Sequence, residues 1–498
     1  MSEATNGFIL SFDQGTTSSR AIIFDHDGNL VSSAQKEFTQ FYPEPGWVEH
    51  DPEEIWQTQI DAAHEAIAKA KIQVDQIVSI GITNQRETTV MWDKDSGRPV
   101  YRAIVWQCRR STSICQELID SGLEDEFRQR TGLRIDPYFS GTKISWLFRE
   151  IPGLKALAEN GEILFGTIDS WLLWKLTGNH YTDITNASRT LLYNIGEQHW
   201  DPMLLSILGV PAQALPVVKE SSDDFGYTKK EIFGREIPVQ GVAGDQQAAL
   251  FGHTCFSPGM VKNTYGTGCF TLLNTGSWPV WSKHNLLTTV AWKINGKITY
   301  ALEGSVFIAG AVIQWLRDEL GLITTAAESE KIAESVSDSA GAFVVPAFVG
   351  LGTPYWDPLA RGSIVGLTRG VNRAHIVRAA LESIAYQSED LFASMRADYG
   401  KPIEVIKADG GATANRFLMQ TQADISGIPV ILPKNTEITA LGAAYLAGLR
   451  AGYWNNLGEI EKIWQTSASF EPKIEARTRE RRLELWHKAV SATREFKV

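Results

Sequence analysis

Asp13-Gln14-Gly15-Thr16-Thr17-Ser18-Ser19-Arg20 stands between two apolar runs, Phe8-Ile9-Leu10-Ser11-Phe12 and Ala21-Ile22-Ile23-Phe24. Two short apolar runs joined by a Gly/Thr turn predict a β-hairpin, and Asp25-His26-Asp27-Gly28 supplies the next turn. The tip gathers backbone N–H groups, the hydroxyls of Thr16, Thr17 and Ser18, the Arg20 guanidinium and the Asp13 carboxylate. N–H groups, hydroxyls and a guanidinium suit an anion, and a carboxylate suits a divalent cation. Together they fit a nucleotide phosphate tail with Mg2+, although the same residues also make an ordinary polar hairpin. In the second half of the chain Val261-Lys262-Asn263-Thr264-Tyr265-Gly266-Thr267-Gly268-Cys269-Phe270 repeats the layout of strand, Gly/Thr turn and strand.

Gly244-Asp245-Gln246-Gln247 follows the apolar run 239–243 and precedes Ala248-Ala249-Leu250-Phe251. Asp245 is thereby set where a strand ends and a helix begins. That is a place for a general base in an α/β cleft, and equally for a helix N-cap. Thr83-Asn84-Gln85-Arg86-Glu87-Thr88 packs several hydrogen-bonding side chains into one strand-end loop, which suits either a polyhydroxylated ligand or a solvated turn. Trp106, ahead of Gln107-Cys108-Arg109-Arg110, has the flat apolar face to wall a small alcohol or to fill a core. Tyr138-Phe139-Ser140-Gly141-Thr142-Lys143 is a dense aromatic and hydroxyl run leading into a helix. Neither GxxxxGK[ST] nor GxGxxG occurs, which argues against P-loop and dinucleotide-binding folds, and the protein-kinase catalytic loop is missing too.

The elements that must hold these residues follow an order of strands, helix, strands and helices, twice over. Asp51-Pro52-Glu53-Glu54 opens a helix, with Asp51 as cap, proline at the first position and acids at the positive end of the dipole. Ile55, Trp56, Ile60, Ala63, Ile67 and Ala70 recur on one face of it, and 78–82 reads as a buried strand. In the second half helices are expected over 305–320, 376–399 and 415–424. A tight turn is expected at 408–412, and a small-residue segment over 439–452 is expected to pack closely on a sheet. Gly310 leaves space for a close approach to its backbone. The tail is expected to end as a solvated helix around 477–490. With two hairpins of one kind, the expected division is 1–253, carrying the first phosphate loop, and 254–498, carrying the second, with the nucleotide between them.

A chain of 498 residues is too long for one core, which agrees with two domains. Its net charge of −11 leaves no basic face to neutralise a nucleic-acid backbone. The four cysteines, at 108, 115, 255 and 269, have neither CxxC spacing nor the density of a disulfide framework, so reduced thiols are expected. Residues 1–7 lack the pattern of a secretory leader, and the apolar stretch 341–352 is too short to span a bilayer and is broken by Pro346. Asn186-Ala187-Ser188 matches the glycosylation sequon but carries no weight in an intracellular chain.

Taken in order, these segments resemble the FGGY carbohydrate kinases from about residue 8 to beyond residue 450. Residues 138–150 match the first family signature and 362–382 the second; the loops at 13–20, 84–88, 106–110, 244–252 and 263–270 match features of its glycerol-specific branch. The resemblance implies an α/β chain of two RNase H-like (actin/hexokinase-like) domains with a nucleotide cleft between them. It implies phosphorylation of glycerol by ATP with Mg2+, giving sn-glycerol 3-phosphate and ADP in glycerol catabolism. By that match Asp245 is the general base. Arg86, Glu87, Tyr138, Asp245 and Gln246 bind the hydroxyls of glycerol, and Trp106 and Phe270 line its carbons. Asp13 holds the metal. Thr16, Thr17, Ser18 and Arg20 from one domain and Thr267 from the other hold the phosphates, and Gly310, Gln314, Gly411 and Asn415 surround the rest of the nucleotide. Other members of the family act on pentuloses such as xylulose or ribulose; Arg86-Glu87 beside Trp106 favours the smaller triol. The match further implies a cytoplasmic homodimer or homotetramer that neither binds nucleic acid nor inserts into membranes. The family pattern frays at 225–243, which has no histidine and keeps only Gly234-Arg235 of a glycine-rich loop. That puts in doubt both the phosphohistidine control and the fructose 1,6-bisphosphate control known in some members.

Overall fold

The computed structural model describes residues 7–496, so the leaderless reading of 1–7 falls, but for Gly7, outside the described residues. Strands β1 (Phe8–Gln14) and β2 (Ser18–Phe24) form the expected antiparallel hairpin, closed by a bond from Gly15 N–H to the Ser18 carbonyl, and β3 (Leu30–Glu37) adds to β2. Helix α1 (Pro52–Ala70) starts where its capping residues place it: Asp51 accepts from Glu53 N–H, and Ile55, Ile60, Ala63 and Ile67 are buried beneath it. β4 (Ile77–Asn84) runs parallel beside β1. α2 (Ser140–Glu150) follows the aromatic run, and β5 (Val239–Gly244) then runs parallel beside β4 before the chain turns directly into α3 (Asp245–Gly252). The first sheet has the order β5-β4-β1-β2-β3.

The second half repeats this plan. β6 (Val261–Tyr265) and β7 (Cys269–Gly276) are the second hairpin, β8 (Leu287–Ile294) and β9 (Lys297–Val306) follow, and β9 pairs with β7 as β3 pairs with β2. α4 (Gly310–Asp318) and the long α5 (Arg373–Tyr399) lead to β10 (Ile406–Asp409), which lies parallel to β6 as β4 does to β1. After α6 (Arg416–Ser426), β11 (Val430–Pro433) takes the place of β5. Then come α7 (Ile438–Ala451), β12 (Thr466–Phe470) and α8 (Ala476–Glu495). The sheet order is β8-β9-β7-β6-β10-β11-β12, the five-strand pattern of the first half with one strand added at each edge.

The small-residue helix α7 packs on the sheet of the other half. A Cβ on Gly81 of β4 would lie 2.3 Å from the Ala443 carbonyl, and one on Gly442 would lie 1.8 Å from the Ala248 carbonyl of α3. Backbone therefore meets backbone at these points, and only glycine permits it.

Two expectations need correction. The helix expected from 305 begins at Gly310, because Val306 still pairs with Cys269 in the sheet. The N–H groups of Ala309 and Gly310 then bond the carbonyls of Thr267 and Gly266, so the second hairpin turn sets the start. The tail helix is not simply solvated: Trp486, Ala489, Val490 and Thr493 are buried, and Trp486 stacks on Tyr386 with ring centroids 5.3 Å apart. All four cysteines are buried and unpaired, and Asn186 of the sequon is fully buried. Among the described residues no helix is long and apolar enough to cross a membrane.

Candidate active site

Strand register brings the chemistry together. Across the parallel strands Asp13 lies level with Thr83, Gln14 with Asn84, and Asn84 with Gly244. The loops leaving β1, β4 and β5 therefore emerge side by side at the carboxyl end of the sheet, where open α/β sheets bind ligands. The first hairpin, from Asp13 to Arg20, the loop from Gln85 to Thr88, and the first turn of α3, from Asp245 to Gln247, stand at that end.

Arg86 is the hub. Its Nη1 donates to Glu303 Oε2 at 2.6 Å and to Gln247 Oε1 at 3.2 Å, and its Nη2 donates to Glu303 Oε1 at 2.9 Å and to Tyr138 Oη at 3.3 Å. Its Nε lies 3.3 Å from Asp245 Oδ1 and 3.7 Å from Glu87 Oε1. The stem of Arg86 reaches that point only because residue 244 is glycine: a Cβ there would lie 2.7 Å from its Cγ and Cδ. Glu87 is buried with φ at 61°, a left-handed conformation unfavourable for a glutamate, and Arg189 Nε holds it at 2.7 Å. Burial raises the Glu87 carboxyl above its ordinary value, and Arg86 and Arg189 pull against that rise.

Asp245 sits at the first position of α3, capped by Gly244, so its side chain is not the helix N-cap. Its Oδ1 accepts from Gln246 N–H at 2.7 Å, while Oδ2 has no partner among the described residues and the side chain is 35% exposed. Desolvation raises the Asp245 carboxyl, with Arg86 and Lys262 opposing, which leaves a base stronger than an ordinary aspartate. Gln246 Oε1 accepts from Lys262 Nζ, which also donates to Thr264 Oγ1 at 3.1 Å and to the Phe270 carbonyl at 3.2 Å. Burial pushes the Lys262 ammonium down to about 8. Trp106 stands edge-on to Tyr138 at 5.6 Å between centroids and donates from Nε1 to Thr16 Oγ1 at 3.0 Å, so it joins this cluster to the first hairpin. Phe270 is half-buried at the start of β7.

In the first hairpin Asp13 faces Arg20 across the strands, and they form an ion pair. Arg20 also reaches Glu437 Oε2 at 2.8 Å. The guanidinium expected to meet phosphate is thus held between two carboxylates. Thr16 and Ser18 are half-buried and Thr17 is exposed. Asp13 Oδ1 keeps no hydrogen-bond partner among the described residues, so one oxygen of a buried carboxylate is available to a cation or its water. In the second hairpin Thr267 is exposed at the tip. The close approach expected at Gly310 is made by the chain itself, its N–H bonding the Gly266 carbonyl at 2.9 Å. Gln314 is exposed on α4, and Gly411 is exposed, with nothing within 4 Å of the point a Cβ would occupy. Asn415 caps α6 by accepting from Leu418 N–H at 2.9 Å. Two surface cavities, of about 310 and 450 Å3, lie elsewhere, and none of these residues lines either.

Sequence reasoning missed Glu303, Arg189, Lys262 and Gln247. Lys262 and Gln247 lay inside segments already singled out. Glu303 had a local signal, a single acid in the otherwise apolar stretch of β9. Arg189 had none.

The whole length of this arrangement has known relatives. Residues 8–252 match the N-terminal domain of the FGGY family of carbohydrate kinases, and residues 261–451 match its C-terminal domain. The chain belongs to the FGGY family of carbohydrate kinases. It is 59% identical to glycerol kinase of Carboxydothermus hydrogenoformans over 99% of both chains, and 58% identical to glycerol kinase 2 of Thermotoga maritima over 97% of this chain and 98% of that one. Among solved structures it superposes on Plasmodium falciparum glycerol kinase with ADP with a TM-score of 0.94, at 39% identity and over 98% of each chain. The duplicated α/β fold expected from the sequence is the fold of this family.

Proposed function

We propose that this FGGY kinase transfers the γ-phosphoryl group of ATP to a terminal hydroxyl of glycerol, giving ADP and sn-glycerol 3-phosphate, with Asp245 as general base. The observation that carries the reading is the convergence of Arg86, Glu87, Tyr138, Gln246 and a half-open Asp245 at one sheet end, in a chain this close to glycerol kinases. A triol offers three hydroxyls, each both donor and acceptor, and this cluster offers charged and neutral partners of both kinds. A pentulose as acceptor is the alternative, and no contact favours it.

In the proposed reaction Asp245 Oδ2 accepts the hydroxyl proton as the new O–P bond forms and the bond from the γ-phosphorus to the ADP oxygen breaks. Arg86 and Tyr138 orient the substrate hydroxyls with Glu87 and Gln246, while Trp106 and Phe270 cover its carbons. Positioning and charge compensation dominate such transfers. Mg2+, when bound, neutralises charge on the transferring phosphates; Asp13 is the residue fitted to hold it, through its free oxygen. Thr16, Thr17, Ser18 and Thr267 bind the phosphates from the two hairpins. Arg20 joins them by giving up its bond to Glu437. Gly310, Gln314, Gly411 and Asn415 flank the remainder of the nucleotide. The division at 253/254, a cytoplasmic setting and a homodimer or homotetramer complete the reading; sedimentation of the purified chain gives the last.

The test is product identity. Phosphorylated glycerol from the reaction should be oxidised to completion by a dehydrogenase specific for sn-glycerol 3-phosphate. A product inert to that enzyme removes the assignment of the transferred position.

A further inference from the structure

Glu303 is the one acidic residue of β9 and stands between apolar neighbours on the adjacent strands. Its cross-strand neighbours on β7 and β8 are Leu272 and Leu287, and it is only 3% exposed. Its oxygens are taken up by two guanidiniums from the other half of the chain: Arg86 at 2.6 and 2.9 Å, and Arg189 Nη2 at 3.0 Å. Burial alone raises such a carboxyl, but Arg189 and Arg86 overcome it and hold it down at about 2. A buried ion pair of this kind adds little stability over an apolar pair of the same volume, so stability alone does not explain its presence.

We propose that Glu303 is a positioning residue for the acceptor site: from the second half it fixes Arg86 and Arg189 so that Arg86 Nε faces Asp245 and Arg189 Nε holds Glu87. The inference rests on the glycerol reading above. Without Glu303 the nearest carboxylates to Arg86 are Asp245 and Glu87, at 3.3 and 3.7 Å. The guanidinium would turn onto Asp245, cover the proton acceptor and leave its place among the substrate hydroxyls. Arg189, whose Nη1 has no partner among the described residues, would keep Glu87 as its only carboxylate there. Because Glu303 comes from β9, the acceptor site in the first half is complete only when the second half docks against it.

The test compares wild type, Glu303→Gln and Glu303→Asp for glycerol KM, MgATP KM, kcat and thermal midpoint. Glu303→Gln is expected to raise glycerol KM by about 10-fold or more and to lower kcat, with MgATP KM changed by less than about 2-fold. Glu303→Asp, which keeps the charge, should recover part of the loss. An unchanged glycerol KM, equal rises in both KM values, or Glu303→Asp behaving as Glu303→Gln would overturn the proposal. If Glu303→Gln fails to fold, Glu303→Gln combined with Arg189→Gln balances the buried charge and is compared with Arg189→Gln alone; a higher glycerol KM in the double variant is expected because Arg86 is released only there, and equal values would overturn the proposal. Should the wild type phosphorylate a pentulose and not glycerol, the substrate reading fails by itself, and the same three proteins are compared on that acceptor.

Discussion

A carboxylate that must take a proton from an alcohol works best when its own affinity for protons is raised, and Asp245 meets that condition through desolvation. Asp245→Asn should therefore lower kcat by at least about 10²-fold while glycerol binding weakens less; steady-state kinetics with a glycerol-binding titration checks both. The sign of the pH effect follows. The base acts when ionised, so kcat/KM for glycerol should fall as pH drops through an apparent value above the ordinary aspartate range of about 3.9, and that acidic limb should be lost with Asp245→Asn. For an acid raised on folding, native stability falls as pH rises through the folded value, so Asp245→Asn should melt no lower than wild type near neutral pH. Arg86→Ala should raise glycerol KM and leave MgATP KM nearly unchanged; an equal defect toward ATP would move Arg86 out of the acceptor site. At this scale the sequence exposed what was local. Asp245, Arg86 and Glu87 stood out because each lies in a polar segment shortly after an apolar run. Arg189 and Glu303 did not, because their bonds join residues 114 positions apart and no short window holds both.

The hairpins, the capped helix α1 and the turn from β5 into α3 were legible because each is set by neighbours in sequence: a glycine turn, an Asp-Pro start, an apolar run ending in Gly244. The start of α4 was not, because it is set by carbonyls of the second hairpin turn, well upstream in the chain. The burial of α8 was hidden for a similar reason, its apolar residues facing α5 through Trp486 and Tyr386. Contact of α7 with the opposite sheet was only half visible: its small residues announced close packing, but not against which sheet. That contact gives a prediction. Gly442→Ala puts a methyl carbon 1.8 Å from the Ala248 carbonyl, and since backbone on both sides must shift, a loss of about 1–3 kcal/mol or more is expected in denaturant unfolding. Unfolding at the wild-type midpoint would show that α7 can move away from α3.

The two sheets share one strand plan, and each presents a Gly/Thr hairpin. With the phosphates held between hairpins of separate halves, as proposed, and Glu303 reaching from one half to the arginines of the other, the site is expected to be assembled by docking. Water competes with any alcohol for a phosphoryl group, so assembly must also exclude it. Small-angle scattering should therefore show compaction when glycerol and a non-hydrolysable ATP analogue are both present; an unchanged radius of gyration would argue against closure. Glycerol phosphorylation itself is decided by ADP release with Mg-ATP, measured with glycerol, xylulose, ribulose and no acceptor. Fast release is expected with glycerol and little with any of the other three. Release with a pentulose alone would contradict the acceptor assignment, and equal release without any acceptor would contradict the kinase reading.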